Sequence, residues 1–233
     1  MLLPTNRQTG ILCKRYKRFL ADVLLDEDGR ILTVHCPNSG SMRGCAEPGS
    51  PALISRSDNL GRKYAWTLEM VQHQGVWIGV HTGRTNHLVR EALENGAIDD
   101  FGSLRAITPE VKVSDKSRLD FLLETDQGAT YLEVKNCSLA ENGTAFFPDA
   151  VTVRGAKHLH ELVRLAEAGF GAAVLFCIQR SDATLCKPAA HIDPVYAETV
   201  AWAAGLGVRF LAYQAEVSPE AVAIIRPIPF SIS

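Results

Sequence analysis

The chain has 233 residues, 46% of them hydrophobic and 21% charged, and a formal net charge of −2, which suits one large or two small globular domains with real cores. Its longest apolar run, Ala172 to Ile178, is far short of the roughly 20 residues of a membrane span. The opening MLLPTNRQTG lacks the basic start and long apolar stretch of a secretion signal, so the expected location is the cytoplasm, with no membrane and no secreted partner.

Charge is divided unevenly. Residues 1–80 hold ten Lys/Arg against seven Asp/Glu, and residues 81–233 hold fourteen against nineteen. The N-terminal part is therefore the expected polyanion binder. Much of its excess lies in KRYKRF, where Lys14, Arg15, Tyr16, Lys17 and Arg18 could contact phosphates and stack bases. The competing reading is an edge strand guarded by cations.

From residue 17 to residue 80 the pattern gives strand signals only. Arg18 to Leu25 runs into the turn Asp26-Glu-Asp-Gly29, and Arg30 to Cys36 returns. Ala52 to Arg56 follows, and Tyr64 to Val71 pairs through His73-Gln-Gly75 with Val76 to Val80. Five short strands in this length predict a small barrel of the oligonucleotide-binding (OB) type, with an SH3-like barrel or a small sandwich as alternatives. The loop CPNSGSM, Cys36 to Met42, reads as a structural turn that could also offer backbone N–H groups to a phosphate.

After Val80 the period changes from two to about 3.6. Leu88, Val89, Ala92 and Leu93 share one helical face, and Asn95-Gly96 stops the helix. This places a domain boundary near residue 81, giving an OB-like nucleic-acid-binding domain (1–80) and a second domain (81–233). Strands are predicted at Glu110 to Val113, Arg118 to Leu123 and Thr130 to Lys135, then a helix from Arg154 to Ala168 ending at Gly169. The strand Ala172 to Ile178, a helix opening at Asp193-Pro194 and the strand Val208 to Tyr213 complete a mixed sheet with helices packed on it. The six cysteines form no C-x-x-C pair and no Cys or His group has zinc-ligand spacing, so reduced thiols are expected.

The hairpin SRLDFLLETDQGATYLEVK, residues 117–135, carries charge where a core strand should carry none. Asp120 lies on its first strand, while Glu133 and Lys135, two apart, share one face of its second. Two carboxylates converging in a partly dry site repel, and a divalent cation between them relieves the repulsion; oxygen ligands and retained water favour Mg²⁺ or Mn²⁺. The expected ligands are Asp120, Glu133 and the Val134 carbonyl, with Lys135 positioned to hold or deprotonate an attacking water. The alternative is a surface hairpin with a cross-strand ion pair. A second Glu-Val-Lys, Glu110 to Lys112, has no upstream strand carboxylate, so order favours Glu133 and Lys135.

These residues resemble the D…(D/E)-x-K signature of the PD-(D/E)xK nuclease superfamily, with Leu119 in the place of the Pro. That resemblance implies a further acid from the first helix, with Glu91 the candidate and Glu94 and Glu110 its competitors. Across nearly the whole chain, RYKRFLADV, HCPNSGSM, NHLVREAL, SRLDF, YLEVKN, FFPDAVTVRG and KHLHEL resemble the sugar fermentation stimulation protein A family. What this implies is an OB-like β-barrel followed by a nuclease-like α/β domain, binding to DNA without sequence preference, and a regulatory part in maltose and other sugar metabolism. The same resemblance puts Arg154, Lys157 and His158 on the helix after the hairpin, where they form one polar face. Three readings follow: a DNA-binding regulator, an active metal-dependent nuclease, and a sugar-responsive module for which the sequence offers no distinctive site. A homo-oligomer is compatible with each.

Overall fold

Period-two alternation builds the N-terminal half. In the computed structural model, which describes residues 1–115 and 117–232, the strands are β1 (Arg7–Tyr16), β2 (Leu20–Leu25), β3 (Ile31–His35), β4 (Pro51–Arg56), β5 (Trp66–His73) and β6 (Val76–Gly79). They form one sheet in the order β3-β2-β1-β4-β5-β6, and a parallel pairing of His35 with Thr67 joins β3 to β5 and curls the sheet into a barrel. The expected five strands omit β1. Its alternation is masked by a bulge between Leu12 and Lys14 and by a glycine where an apolar residue would be expected. A Cβ at Gly10 would stand 2.4 Å from the Leu24 carbonyl oxygen, so the approach of β2 leaves no room for a side chain there.

The barrel interior is closed by Leu12, Val23, Val34, Ile54, Leu68 and Ile78 among others. In β4 both faces are covered, since Ala52 through Ser55 are all buried. Ala52 and Ile54 join the barrel core, whereas Leu53 packs with Met70, Leu3, Leu88 and Phe121 in a core shared with the second half of the chain. Each such side chain contributes roughly 1.5–3 kcal/mol on burial, so the halves are held together by apolar contact. The first residues also cross over: Leu2 bridges Ala221, and Leu3 donates its N–H to the Glu220 carbonyl at 3.0 Å.

The second half contains α1 (Thr85–Glu94), β7 (Leu104–Ser114), β8 (Ser117–Thr125), β9 (Gly128–Cys137), β10 (Leu139–Glu141), β11 (Thr144–Phe147) and α2 (Val153–Glu167). It continues with β12 (Gly171–Ile178), β13 (Leu185–Pro188), α3 (Pro194–Gly205), β14 (Arg209–Val217) and β15 (Val222–Ile228). The main sheet runs β15-β14-β12-β9-β8-β7, with β9, β12 and β14 parallel, and a small sheet runs β10-β11-β13. Every residue from Ala172 to Ile178 is buried, as a central parallel strand covered on both faces requires. One face packs Leu88, Val89, Ala92 and Leu93 of α1; the other packs Leu159, Leu162 and Val163 of α2 and Tyr196, Val200 and Ala203 of α3. The small strands β10, β11 and β13 and the edge strand β15 escape the sequence pattern, because runs of three or four residues give no readable period and Pro227 interrupts the last. All six cysteines are free thiols, five of them buried. Among the described residues no helix is long and apolar enough to cross a membrane.

Two helix starts are fixed by one carboxylate. Asp193 caps α3 by accepting the Tyr196 N–H at 3.0 Å, and its other oxygen accepts the Thr152 N–H at 2.8 Å. Thr152 in turn caps α2, accepting the Gly155 N–H at 3.0 Å. The N-termini of α2 and α3 are thereby tied to each other.

Candidate functional site

The hairpin β8–β9 pairs from Thr125 and Gly128 down to Phe121 and Leu132, where its ladder ends. Continuing that register would set Asp120 opposite Glu133. Instead the strands part, and Asp120 Oδ2 accepts the backbone N–H of Val134 at 2.7 Å. β9 goes on pairing with β12 as far as Cys137 and Ile178. The splay opens the sheet where the two carboxylates stand.

Glu133 is buried, at 3% exposure. Its Oε1 accepts Lys135 Nζ at 2.5 Å and is bonded to His158 Nδ1. The other ring nitrogen of His158 accepts Arg154 Nε at 3.4 Å, which leaves Nδ1 as the ring nitrogen that donates to Glu133. Burial alone would raise the Glu133 carboxyl, but Lys135 and His158 outweigh it and hold it below its ordinary value. Asp120 behaves oppositely. Burial first, and the neighbouring Glu133 charge second, push it up to about 6 against the Val134 and Asn86 hydrogen bonds. Glu133 Oε2 is buried and has no hydrogen-bond partner among the described residues. A buried, charged oxygen without a donor is costly unless something positive completes it.

The first helix meets this site through an amide. Asn86 Nδ2 donates to Asp120 Oδ1 at 2.8 Å, and the expected acid, Glu91, pairs elsewhere, 2.6 Å from the Met1 ammonium and half exposed. Glu94 pairs with Arg90 on the outside of α1. Glu110 is exposed on β7, 3.8 Å from Arg118. Among the described residues no group of three His, Cys, Asp or Glu is placed as metal ligands. A cation at the splay would therefore rest on two carboxylates, the Val134 carbonyl and water.

The basic stretch near the N-terminus divides. Arg15 does not present its guanidinium to a partner: it donates to the carbonyls of Asn38, Gly40, Ser41 and Arg18 at 2.8–3.1 Å. Lys14 lies 3.4 Å from Asp22, and Tyr16 OH donates to the same carboxylate at 3.0 Å. Lys17 and Arg18 form the exposed turn between β1 and β2, where Arg18 also donates to the Ser39 carbonyl at 2.8 Å.

What Arg15 organises is the loop Cys36 to Met42, and that loop docks on the second half of the chain. Asp149 accepts from the Met42 N–H at 2.8 Å, and its carbonyl accepts from Ser41 Oγ at 2.6 Å. The loop and Arg18 thereby roof a pocket whose floor includes Val134, Lys135 and Phe147. On the other side of the N-terminus of α2, Lys112, Arg118, Arg154, Lys157 and His158 line an open cleft. Sequence reasoning missed Asn86 and Asp149.

Comparison with known proteins agrees with this architecture. The sugar fermentation stimulation protein RE domain matches residues 83–221, and the SfsA N-terminal OB domain matches residues 13–80. The chain belongs to the sugar fermentation stimulation protein family. Homologues carrying that name include one from Desulfotalea psychrophila, 53% identical over 92% of this chain and 90% of the relative, and one from Pelobacter propionicus, 51% identical over 94% and 95%. A solved structure of Pyrococcus furiosus SfsA in complex with Ca²⁺ superimposes with a TM-score of 0.89 at 26% identity, covering 99% of this chain and 98% of that one. The family's N-terminal OB domain and mixed α/β second domain are those expected from the sequence.

Proposed function

We propose that the chain is a metal-dependent nuclease that binds DNA without sequence preference and hydrolyses its phosphodiester bonds. The observation that carries this reading is the pair of carboxylates at the splay, Glu133 buried with its Oε2 unpartnered and Asp120 half-buried and raised by desolvation and by its neighbour's charge. An all-oxygen set of this kind fits Mg²⁺ or Mn²⁺, and the related Pyrococcus protein is described in complex with Ca²⁺, another hard divalent cation. Asp120, Glu133 and the Val134 carbonyl would hold the ion. When bound, it would supply a water activated for attack and stabilise charge on the leaving oxygen.

The chain's own groups do the rest. Lys135, anchored on Glu133 Oε1, orients the attacking water and neutralises charge that develops on the phosphate. His158 fixes the Glu133 carboxylate from the other side. Arg154, exposed at the start of α2, and Lys157 beside it are placed to meet backbone phosphates. Arg18 and Lys17 supply cations from the barrel side.

The decisive measurement is paired. Calorimetric titration with Mn²⁺ is expected to show one site in the wild type and none in an Asp120→Asn, Glu133→Gln double variant; equal affinity in the two removes the metal site. Cleavage of single- and double-stranded DNA in Mn²⁺, with Glu133→Gln as the control for contamination, then tests turnover. A second reading is favoured by the family's description, which names an effect on sugar fermentation rather than a reaction: a DNA-binding regulator of sugar metabolism that keeps the cation site without turnover. Metal and DNA binding with no cleavage of any substrate would select it.

A further inference from the structure

The pocket and the cleft beside the site are separated by a ridge with an unusual surface. Val151 and Val153 are 71% and 83% exposed, among the most exposed large apolar side chains of the protein. Val151 lines the pocket and Val153 lines the cleft. Thr152 between them is pinned by its cap on α2 and by Asp193, so the ridge is rigid.

The same partition runs through the catalytic groups. Lys135 belongs to the pocket wall and His158 to the cleft wall, and both bond to the single oxygen Glu133 Oε1. The reacting centre therefore lies on the divide. The two spaces differ in size and charge. The cleft measures about 920 Å³ and carries four Lys or Arg against Glu110 and Asp115. The pocket measures about 310 Å³ and is roofed by the barrel loop with Arg18, over Phe147. That is the low end of the roughly 300–1,000 Å³ of small-molecule pockets, room for one nucleotide and none for a duplex.

Resting on the nuclease reading, we infer that the site takes unpaired DNA, one nucleotide lodged in the pocket and the strand leading out through the cleft, with Val151 and Val153 as a wedge between neighbouring bases. A strand crossing from cleft to pocket must lay a phosphodiester over the ridge, beside Glu133. The bases on either side then cannot stack on each other, and two apolar branched side chains cover the faces so exposed, as apolar wedges do in proteins that unstack base steps. The cations of the cleft track the phosphates of the rest of the strand. A paired end must fray before it can enter. The substrate class is therefore single strands, overhangs and frayed ends.

The test uses a 5′-labelled oligonucleotide carrying 2-aminopurine at successive positions from one end, as a single strand and as a blunt duplex, in buffer with chelator so that no cleavage intervenes. The single strand is expected to bind about 10-fold or more tighter than the duplex, a gap on the scale of one or two base-stacking contacts. 2-Aminopurine emission is expected to rise at one position near the end. A Val151→Ser, Val153→Ser double variant should lose that rise while its melting temperature stays at the wild-type value, both side chains being exposed. Equal affinity for the two forms, or an undiminished rise in the double variant, overturns the inference while leaving the nuclease reading standing. Absence of binding to either form, persisting when a divalent cation is added, removes both.

Discussion

The replacement Asp120→Asn should stabilise the protein at neutral pH, because the site holds a carboxylate where the fold would prefer a neutral group. Burial and the Glu133 charge raise Asp120 from an ordinary 3.8 to about 6. Between those two pH values the folded chain keeps a proton that the unfolded chain has released. The contribution of Asp120 to stability therefore falls as pH rises through the interval and stays low above it. Raising the carboxyl from 3.8 to about 6, at about 1.36 kcal/mol per tenfold change in proton affinity, amounts to about 3 kcal/mol by pH 8. Asn retains one acceptor oxygen where Asp has two, so either the Val134 or the Asn86 bond is lost, at about 1 kcal/mol. The net gain is about 2 kcal/mol, a rise in melting temperature of about 6 °C for a chain of this size. Near pH 4 folded Asp120 is itself neutral and, like Asn, keeps one carbonyl acceptor, so the advantage of the variant almost vanishes. Thermal melts from pH 4 to 8 in chelator should thus converge at low pH. With Mn²⁺ added, the wild type should gain stability and the variant should not. A variant destabilised at pH 8, or stabilised equally at every pH, would refute the argument.

Three further outcomes are expected. Lys135→Met should leave Mn²⁺ affinity nearly intact but lower cleavage by on the order of 10²- to 10⁴-fold, measured as initial rates against equilibrium binding; unchanged cleavage would exclude the role given to Lys135. Arg15→Ala should cost about 2–3 kcal/mol in chemical denaturation because four carbonyls lose a charged donor at once, while Lys17→Ala, in an exposed turn, should stay within about 0.5 kcal/mol of the wild type. Gly40→Ala places a Cβ 2.6 Å from the Asp149 carboxylate oxygens, so it should loosen the barrel loop from the second domain, read as faster amide exchange at Met42.

The hairpin was legible because its chemistry is local. Glu133 and Lys135 share a face by period alone, and the apolar neighbours Leu132 and Val134 announce that the strand is buried. Asn86 was also within reach of such reasoning. Seven residues before Leu93, it lies within about 20° of it around α1, on the side that packs against the sheet. Glu91 is five residues from Asn86, about 140° away around the helix, and so turns to the chain's N-terminus. Helical phase, rather than the presence of a carboxylate, decides which residue of α1 meets Asp120. Arg15 was illegible for a different reason. Its partners are backbone carbonyls 3, 23, 25 and 26 positions away, and no side-chain pattern records where a carbonyl will point. Read from sequence, a cation committed to the fold looks the same as a cation offered to a phosphate.

That distinction bears on what the barrel is for. Its basic stretch contributes less free charge than the count of cations suggests, since Arg15 is spent on the loop and Lys14 and Tyr16 share Asp22. Its larger contribution is shape. The loop held by Arg15 closes over Lys135 and Phe147 only because Asp149 receives it from below. The linker is fixed just as firmly: Arg84, immediately before α1, makes a bidentate pair with the buried Glu69 of β5, at 2.7 and 2.8 Å, and Ser55 completes that carboxylate. Removing one member of such a pair costs roughly 3–5 kcal/mol. Gln179 then ties β6 to the end of β9, its carbonyl accepting the Gly79 N–H at 2.9 Å and its amide reaching Asn136 and Thr85. Asn136 follows Lys135 directly. A rotation of the barrel relative to the sheet would have to break the apolar contact at Leu53 and Met70, the Glu69–Arg84 pair and the Asp149 latch together. The pocket roof and the carboxylate pair are therefore set in one rigid frame, so that under the proposed nuclease reading selection would act on the form of the DNA strand that can enter.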